Sequence, residues 1–254
     1  QQTPFLHKPR KRGVNHREAM KPFKIRCSQI GRIMGRVGLT EKQEETMYEL
    51  RAKMKLTPLQ SEKLRELEHR HANPELPDGA KTYVREWFSE QRYGVRREVK
   101  SKYLDKGNAA EAAALERYAG EWAEKNEERF EDEWITGTPD HLPPNSDLVA
   151  DIKCPFDPYT FPYFEATLPE PDYWWQLQGY MHLVGRQRAE LVYCMEDTPA
   201  RGDWDEAVVY DMIPPAERMR IYKVERSDKA IREVIERVKM CRAYAETLEN
   251  QFLK

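Results

Sequence analysis

Apolar residues recur at helical spacing through the first half of the chain and in short runs after it. Up to about residue 126 they fall three and four residues apart, as on one face of a helix. The pattern predicts a short helix over 28–35, a charged helical hairpin over 40–72, and helices over 78–93 and 108–126. Both helix starts of the hairpin carry the spacing of a capping box, at Thr40 with Gln43 and at Thr57 with Gln60.

The second half of the chain has a different pattern, in which short apolar runs are bounded by Pro and Gly. This pattern is typical of strands. Strands are predicted over 130–135, 148–152, 189–193, 207–210 and 218–224. Helices are predicted over 173–184 and 227–252, the second being long and amphipathic. This order of elements predicts an α/β fold, with a central mixed β-sheet flanked by helices and the 40–72 hairpin as an N-terminal helical insertion.

Composition narrows the class of protein. The chain has 254 residues, of which 39% are hydrophobic and 34% charged, so it can bury a core and is unlike a disordered chain. Its cysteines stand at least 40 residues apart, which fits neither a disulfide scaffold nor a paired-cysteine zinc site, and we expect no iron–sulfur cluster. Without an 18-residue apolar run or a signal-peptide core, we expect a cytoplasmic protein with no membrane contact.

The near-zero net charge hides a strong asymmetry along the chain. The whole sequence has 42 basic and 44 acidic residues. Residues 1–36 have a net charge of +9, residues 37–213 of −14 and residues 214–254 of +3. We divide the chain into a basic arm over 1–22 and a single domain over 23–254. The arm is either a contact for the phosphate backbone of a nucleic acid or a solvated tail.

One short stretch carries the most informative chemistry. Asp140 follows a predicted strand and turn, and Asp151 and Lys153 lie two apart on the next predicted strand, so their side chains share a face. Carboxylate oxygens favour Mg²⁺ or Mn²⁺, and a lysine beside them can orient an attacking water. Glu111 on the preceding helix can complete the set, which suits metal-assisted phosphodiester hydrolysis by one or two ions. On this motif alone, a turn aspartate with a surface ion pair remains an alternative.

Pro139-Asp140 followed by Asp151-Ile152-Lys153 resembles the PD-(D/E)XK nucleases. Further segments in the same order resemble the phage lambda exonuclease and YqaJ-type viral recombinase family, whose core is restriction-endonuclease-like. These segments are 23–34, 106–111, 137–140, 151–156 and 173–181. Asp151 stands where lambda exonuclease has a glutamate, which the motif allows, and the 40–72 hairpin has no counterpart that we can place there.

The resemblance implies a role for each matching residue. Metal ligation would fall to Glu111, Asp140, Asp151 and the backbone carbonyl of Ile152. Lys153 would handle the nucleophilic water, and Gln176 would position the lysine or the water with support from Tyr180. The 5′-phosphate of the DNA would lie near Arg26, Ser28 and Thr138, with Tyr180 nearby.

The family's activity supplies the functional expectation. It implies a Mg²⁺-dependent exonuclease that degrades one strand of linear duplex DNA from its 5′ end and leaves a 3′ overhang. A phage or prophage origin in a bacterial host, a homo-oligomer such as a trimer and a single-strand annealing partner follow from the same resemblance. The alternatives are a PD-(D/E)XK endonuclease or repair nuclease, a non-catalytic DNA-end-binding protein, and an adaptor built on the 40–72 hairpin.

Two neighbours of the motif have ordinary interpretations beside functional ones. His141 follows Asp140 and is either a metal ligand or acid, or a turn residue. Trp174 and Trp175 are either base-stacking residues or, since adjacent helix positions face different ways, one core and one partly exposed side chain.

Overall fold

The computed structural model describes residues 20–95, 102–197 and 207–253, and only the backbone of 102–106 and 108. Nearly all of the predicted arm over 1–22 therefore lies outside the described residues. Among the described helices, none combines the length and the apolar character needed to cross a bilayer.

The N-terminal helices follow the predicted capping signals. A 3₁₀ turn over Cys27–Gln29 leads into α1 (Ile30–Ile33), and the hairpin consists of α2 (Glu41–Ala52) and α3 (Pro58–Ala72). Both capping boxes form, with each threonine hydroxyl accepting from the glutamine N–H three residues on. The hairpin buries a small apolar cluster of its own, made of Leu39, Met47, Leu50 and Leu67.

The next two helices match the sequence prediction unequally. Helix α4 spans Asp78–Tyr93 as predicted, and Gly94 ends it with a φ of 63°. Helix α5 spans Lys102–Ala119 rather than 108–126, because Gly120 adopts a φ of 93° and stops the helix. Trp122, which falls inside the predicted helix but beyond Gly120, is 89% exposed.

The first sheet has strand order β1-β3-β2, with β1 (Ile25–Arg26), β2 (Phe130–Glu131) and β3 (Ile135–Gly137). β1 pairs parallel to β3, and β2 pairs antiparallel to it. The predicted strand over 130–135 is thus wrong. Asp132 Oδ1 accepts from the N–H groups of Trp134 and Ile135 at 2.7 Å each, and this turn divides the segment into β2 and β3.

The second sheet has strand order β4-β5-β6, with β4 (Leu148–Lys153), β5 (Arg188–Cys194) and β6 (Met219–Glu225). β5 pairs parallel to β4 and antiparallel to β6, so the fold has two mixed three-stranded sheets where one central sheet was predicted. Of the predicted strand over 207–210, the described residues keep a single bridge position at Val208, and Val208 and Val209 are both exposed instead of alternating. An antiparallel bridge between His141 and Ala150 ties the segment after β3 to β4.

Two long helices complete the predicted α/β class. Helix α6 (Pro171–Val184) contacts both sheets, and α7 (Asp228–Phe252) packs on α4 and α6. Arginines of α7 also hold the N-terminal segment, since Arg242 Nε donates to the Phe23 carbonyl at 3.0 Å and Arg237 Nη1 donates to the Ile33 carbonyl at 2.9 Å. This packing places β1, β3, β4 and α6 around one region, which contains most of the predicted site residues.

Candidate active site and adjoining pocket

A cleft of about 820 Å³ contains four of the residues predicted to hold a metal or act on DNA. They are Glu111 from α5, Asp140 after β3, and Ile152 and Lys153 from β4. Thr138, predicted for phosphate binding, lines the same cleft. Asp151 is only 1% exposed and lies behind the cleft, joined to it through Lys153.

Asp140 is fixed against β4 by the backbone. Its Oδ2 accepts a hydrogen bond from the N–H of Ile152 at 2.7 Å, which couples the turn after β3 to β4. Burial, and then the nearby charge of Asp151, raise the pKa of Asp140 to about 7. The carboxyl groups of Asp140 and Asp151 are therefore held close together in a poorly solvated part of the site.

Asp151 and Lys153 form an ion pair on one face of β4, as their spacing predicts. Lys153 Nζ lies 2.6 Å from Asp151 Oδ2 and 4.9 Å from the ring centroid of Tyr173. Burial opposes the charged ammonium, but the carboxylates of Asp151 and Asp140 outweigh it and raise the pKa of Lys153. Lys153 is consequently a charged group at neutral pH.

Gln176 reaches the site from α6. Its Nε2 lies 2.8 Å from Asp151 Oδ1 and 3.0 Å from the hydroxyl oxygen of Tyr180, and both residues are buried. The predicted contact of Gln176 was with the lysine or with water. The structure gives it a contact with the carboxylate that pairs with the lysine, so Gln176 orients Asp151.

Lys125 also lines the cleft, although no motif in the sequence points to it. It lies beyond the end of α5, in a segment predicted to be helical, and its Nζ is 2.6 Å from Glu111 Oε2. Hydrogen bonding to Glu111 raises the pKa of Lys125. The carboxylate of Glu111 is thus neutralised by an ammonium group within the cleft.

The carboxylate oxygens of the site fit a divalent cation, although they are not already arranged as a complete set of metal ligands. Among the described residues, no three His, Cys, Asp or Glu side chains converge as a metal-binding group. Asp151 Oδ2 nevertheless has no well-aligned hydrogen bond despite its burial and the nearby Lys153 Nζ. The close approach of buried carboxyls, which raises the pKa of Asp140, is a charge arrangement that a cation would relieve. Hard oxygen donors of this kind suit Mg²⁺ or Mn²⁺.

A smaller pocket of about 250 Å³ brings together all four residues predicted for phosphate binding, namely Arg26, Ser28, Thr138 and Tyr180. Thr138 also lines the large cleft, so the two spaces adjoin at this residue. Arg26 Nη2 donates to Glu90 Oε2 at 2.7 Å, which offsets the arginine charge. Arg129, which carries no motif signal, lines the same pocket.

The floor of this pocket requires glycine at position 137. A Cβ built there would lie 2.6 Å from Cys27 Sγ and 2.8 Å from Tyr180 Cε1, closer than packed atoms approach.

All four cysteines are free thiols, and Cys27, Cys194 and Cys241 are buried.

His141 and the tryptophan pair have structural roles. His141 is buried, its Nδ1 lies 3.0 Å from the Glu124 carbonyl oxygen, and it lines a different depression from Asp140. Trp174 and Trp175 are both partly buried against the core, with ring centroids 4.8 Å apart.

The structure thus brings Asp140, Asp151 and Lys153 of the motif together beside the cleft. Comparison with solved structures shows which known proteins have a similar fold. A phage-related exonuclease from Haemophilus somnus 129PT is 25% identical, with a TM-score of 0.69 over 91% of this chain and 97% of that one. An alkaline exonuclease from Laribacter hongkongensis is 19% identical, with a TM-score of 0.58 over 91% of each chain. No protein-family model and no curated protein matches the sequence.

These neighbours confirm the resemblance to the lambda exonuclease and YqaJ-type family. The chain shares its fold with both exonucleases, and its likeness to the phage-related exonuclease supports a nuclease.

Proposed function

We propose that the protein is a Mg²⁺- or Mn²⁺-dependent exonuclease that degrades one strand of linear duplex DNA in the 5′-to-3′ direction. One observation carries this proposal. The cleft with Glu111, Asp140 and Lys153 adjoins, at Thr138, a small pocket lined by Arg26 and Ser28. A terminal phosphate in the small pocket would leave the first phosphodiester bond in the cleft.

Each residue of the site has its own role in the proposed reaction. When bound, one or two divalent ions would supply Lewis-acid activation and neutralise phosphate charge, held by Glu111, Asp140, Asp151 and the Ile152 carbonyl. Lys153 holds and orients the attacking water with its ammonium group. Gln176 keeps Asp151 in one rotamer, and so fixes the carboxylate that pairs with Lys153.

The product class follows from the same geometry. If the terminal phosphate occupies the small pocket, hydrolysis of the adjacent bond releases a 5′-mononucleotide. The Laribacter hongkongensis exonuclease is described in complex with dAMP, a mononucleotide of this class, and that structure is 20% identical with a TM-score of 0.57 over 91% of each chain. The remaining strand would carry a 3′ single-stranded overhang, the substrate of a phage-type annealing protein in homologous recombination.

The deciding assay compares linear duplexes bearing a 5′-phosphate or a 5′-hydroxyl, in Mg²⁺ and in EDTA, with closed circular DNA beside them. We expect mononucleotide release from the phosphorylated linear duplex in Mg²⁺, none in EDTA and no cutting of the circle. Lys153→Ala should abolish release while the protein remains folded. Cutting of the closed circle would identify an endonuclease instead, and end binding without release would identify an accessory protein.

The assembly is a separate part of the proposal. A ring-shaped homotrimer would let duplex DNA enter and one strand leave through the centre, as the resemblance implies. Sedimentation velocity measures this directly, with a monomer of 30.1 kDa as reference. A monomer at assay concentration would contradict the ring while leaving the chemistry of the cleft intact.

A further inference from the structure

Arg129 occupies a distinctive position in the small pocket. It directly precedes β2, and its Nε donates to Thr136 Oγ1 at 2.8 Å. Thr136 is buried in β3, and its hydroxyl lies 3.3 Å from the Phe130 carbonyl oxygen. One edge of the guanidinium is therefore anchored to the sheet. Among the described residues, its two Nη groups form no hydrogen bond or ion pair.

Two other cations near the pocket, Arg26 and Lys24, are already paired. Arg26 bonds Glu90 at 2.7 Å, and Lys24 Nζ lies 3.5 Å from Glu131 Oε1. Both pairings draw positive charge toward a carboxylate and away from an incoming anion. Arg129 is thus the pocket's source of uncompensated positive charge among the described residues.

Arg129 also lines a second, wider groove of about 750 Å³, together with Lys21, Lys24 and Arg26. Glu131 is the acidic residue of that lining. The groove shares Arg26, Arg129 and Thr136 with the small pocket. A strand end that enters the pocket therefore approaches along a basic surface on which Arg129 lies at the junction.

We propose that Arg129 determines the preference of this enzyme for a 5′-phosphorylated end, by binding the terminal phosphate through its two Nη groups. The inference rests on the proposed function. A guanidinium presents a planar fork of N–H donors that matches two phosphate oxygens, whereas a hydroxyl at the strand end offers it no anion. The hydroxyls of Ser28 and Thr138, both exposed in the pocket, complete the donor set.

The charge of the end group sets how strongly the pocket should prefer a 5′-phosphate over a 5′-hydroxyl. A terminal phosphate monoester carries about −1.5 to −2 charges at neutral pH, and a 5′-hydroxyl carries none. A hydrogen bond to a charged group contributes about 1.5–3 kcal/mol, which corresponds to roughly 10- to 150-fold in rate or affinity. Loss of Arg129 should therefore appear in the ratio of the two substrates and much less in the rate on the hydroxyl end.

The test measures kcat/KM of the full chain on linear duplexes with a 5′-phosphate or a 5′-hydroxyl. In Arg129→Gln we expect the phosphate-to-hydroxyl ratio to fall about tenfold or more. Arg129→Lys keeps the charge but loses the fork, so its ratio should lie between those of Arg129→Gln and the wild type. Arg65→Gln, which removes an exposed charge from the hairpin helix α3, is the matched control and should keep the wild-type ratio.

The outcomes separate this inference from the function on which it rests. An Arg129→Gln protein that retains the wild-type ratio would overturn the role of Arg129 and leave the exonuclease intact. Equal wild-type rates on both ends would overturn the phosphate pocket and, with it, the role of Arg129. If Arg129→Gln does not fold, Arg129→Lys decides, because a lysine variant with the full wild-type ratio would overturn the need for a guanidinium fork.

Discussion

Gln176 and Asp151 share a buried hydrogen bond of 2.8 Å that links helix α6 to strand β4 beneath the cleft. The Gln176 amide gives Asp151 Oδ1 a fixed donor, while Lys153 faces the other oxygen of the same carboxylate. Each oxygen of Asp151 therefore faces a different partner, and the rotamer of Asp151 is set by the packing of α6 on the sheet.

Replacement of Gln176 tests this coupling. In Gln176→Leu the carboxylate of Asp151 loses its donor inside a buried site. With Asp151 in its proposed role as a metal ligand, we expect activity to fall by about tenfold to a hundredfold. The measurement is kcat on 5′-phosphorylated duplex at saturating Mg²⁺, together with Tm to verify folding.

Gln178 provides the matched control for that substitution. It is also buried in α6, but its Nε2 donates to the Glu225 carbonyl and its Oε1 accepts from the Ser227 N–H, away from Asp151. Gln178→Leu should cost about 1–3 kcal/mol of stability by leaving those backbone groups unpaired, with kcat of the folded protein unchanged. A similar loss of kcat in both variants would contradict an orienting role for Gln176.

The ion pair between Lys125 and Glu111 leads to a prediction about the affinity of the site for metal. Its ammonium neutralises Glu111 across 2.6 Å, and a divalent cation that uses Glu111 must displace it. In Lys125→Met we expect Mn²⁺ to bind about two- to fivefold more tightly, the range set by an exposed ion pair of up to about 1 kcal/mol. Isothermal titration with Mn²⁺ in the absence of DNA measures this.

A second lysine–glutamate pair controls for general charge effects. Lys63 pairs with Glu66 at 2.8 Å on the hairpin, and Lys63→Met removes the same charge outside the cleft lining. Its Mn²⁺ affinity should stay at the wild-type value. Weaker Mn²⁺ binding in Lys125→Met would show that Lys125 supports the site rather than competing for it.

The sequence predicted those elements whose signals are local. The capping boxes at Thr40 and Thr57 fixed both helix starts of the hairpin, and alternation along β4 placed Asp151 and Lys153 on one face. Elements that depend on distant partners could not be predicted in this way. A two-residue strand such as β1 exists because β3 supplies its hydrogen bonds, and the sequence of Ile25–Arg26 contains no periodicity to reveal that.

The same limit applies to the site. Glu111, Asp140 and Lys153 could be predicted because each lies in a segment that resembles the family, whereas Lys125 and Arg129 belong to segments with no such resemblance. Lys125 enters the cleft because Gly120 ends α5 early and turns the chain back. A glycine in an alanine-rich helical pattern was the available signal, and its positive φ could not be known before folding.

Gly137 and Gly107 should respond oppositely to alanine. A Cβ at Gly137 would collide with Cys27 and Tyr180, so Gly137→Ala should destabilise the protein by about 1–3 kcal/mol and disturb the small pocket. At Gly107, inside α5, no described residue lies within 4 Å of the position that a Cβ would take, and alanine should stabilise the helix by about 0.5–1 kcal/mol. Urea unfolding monitored by circular dichroism gives both values. A stable Gly137→Ala protein would contradict the close packing beneath the pocket.

The helix that carries Glu111 is held in place by Arg117, which forms a two-point ion pair with the buried carboxylate of Glu196. Arg117→Leu leaves that carboxylate buried and unpaired, at a cost of about 3–5 kcal/mol. Because α5 then loses an anchor to the end of β5, activity should fall together with Tm. The double variant Arg117→Leu/Glu196→Leu removes both charges and should recover most of the lost stability, since an apolar pair can replace a buried ion pair. Thermal unfolding of the two variants decides the matter, and a double variant no more stable than Arg117→Leu would show that the unpaired Glu196 carboxylate is not the cause of the lost stability.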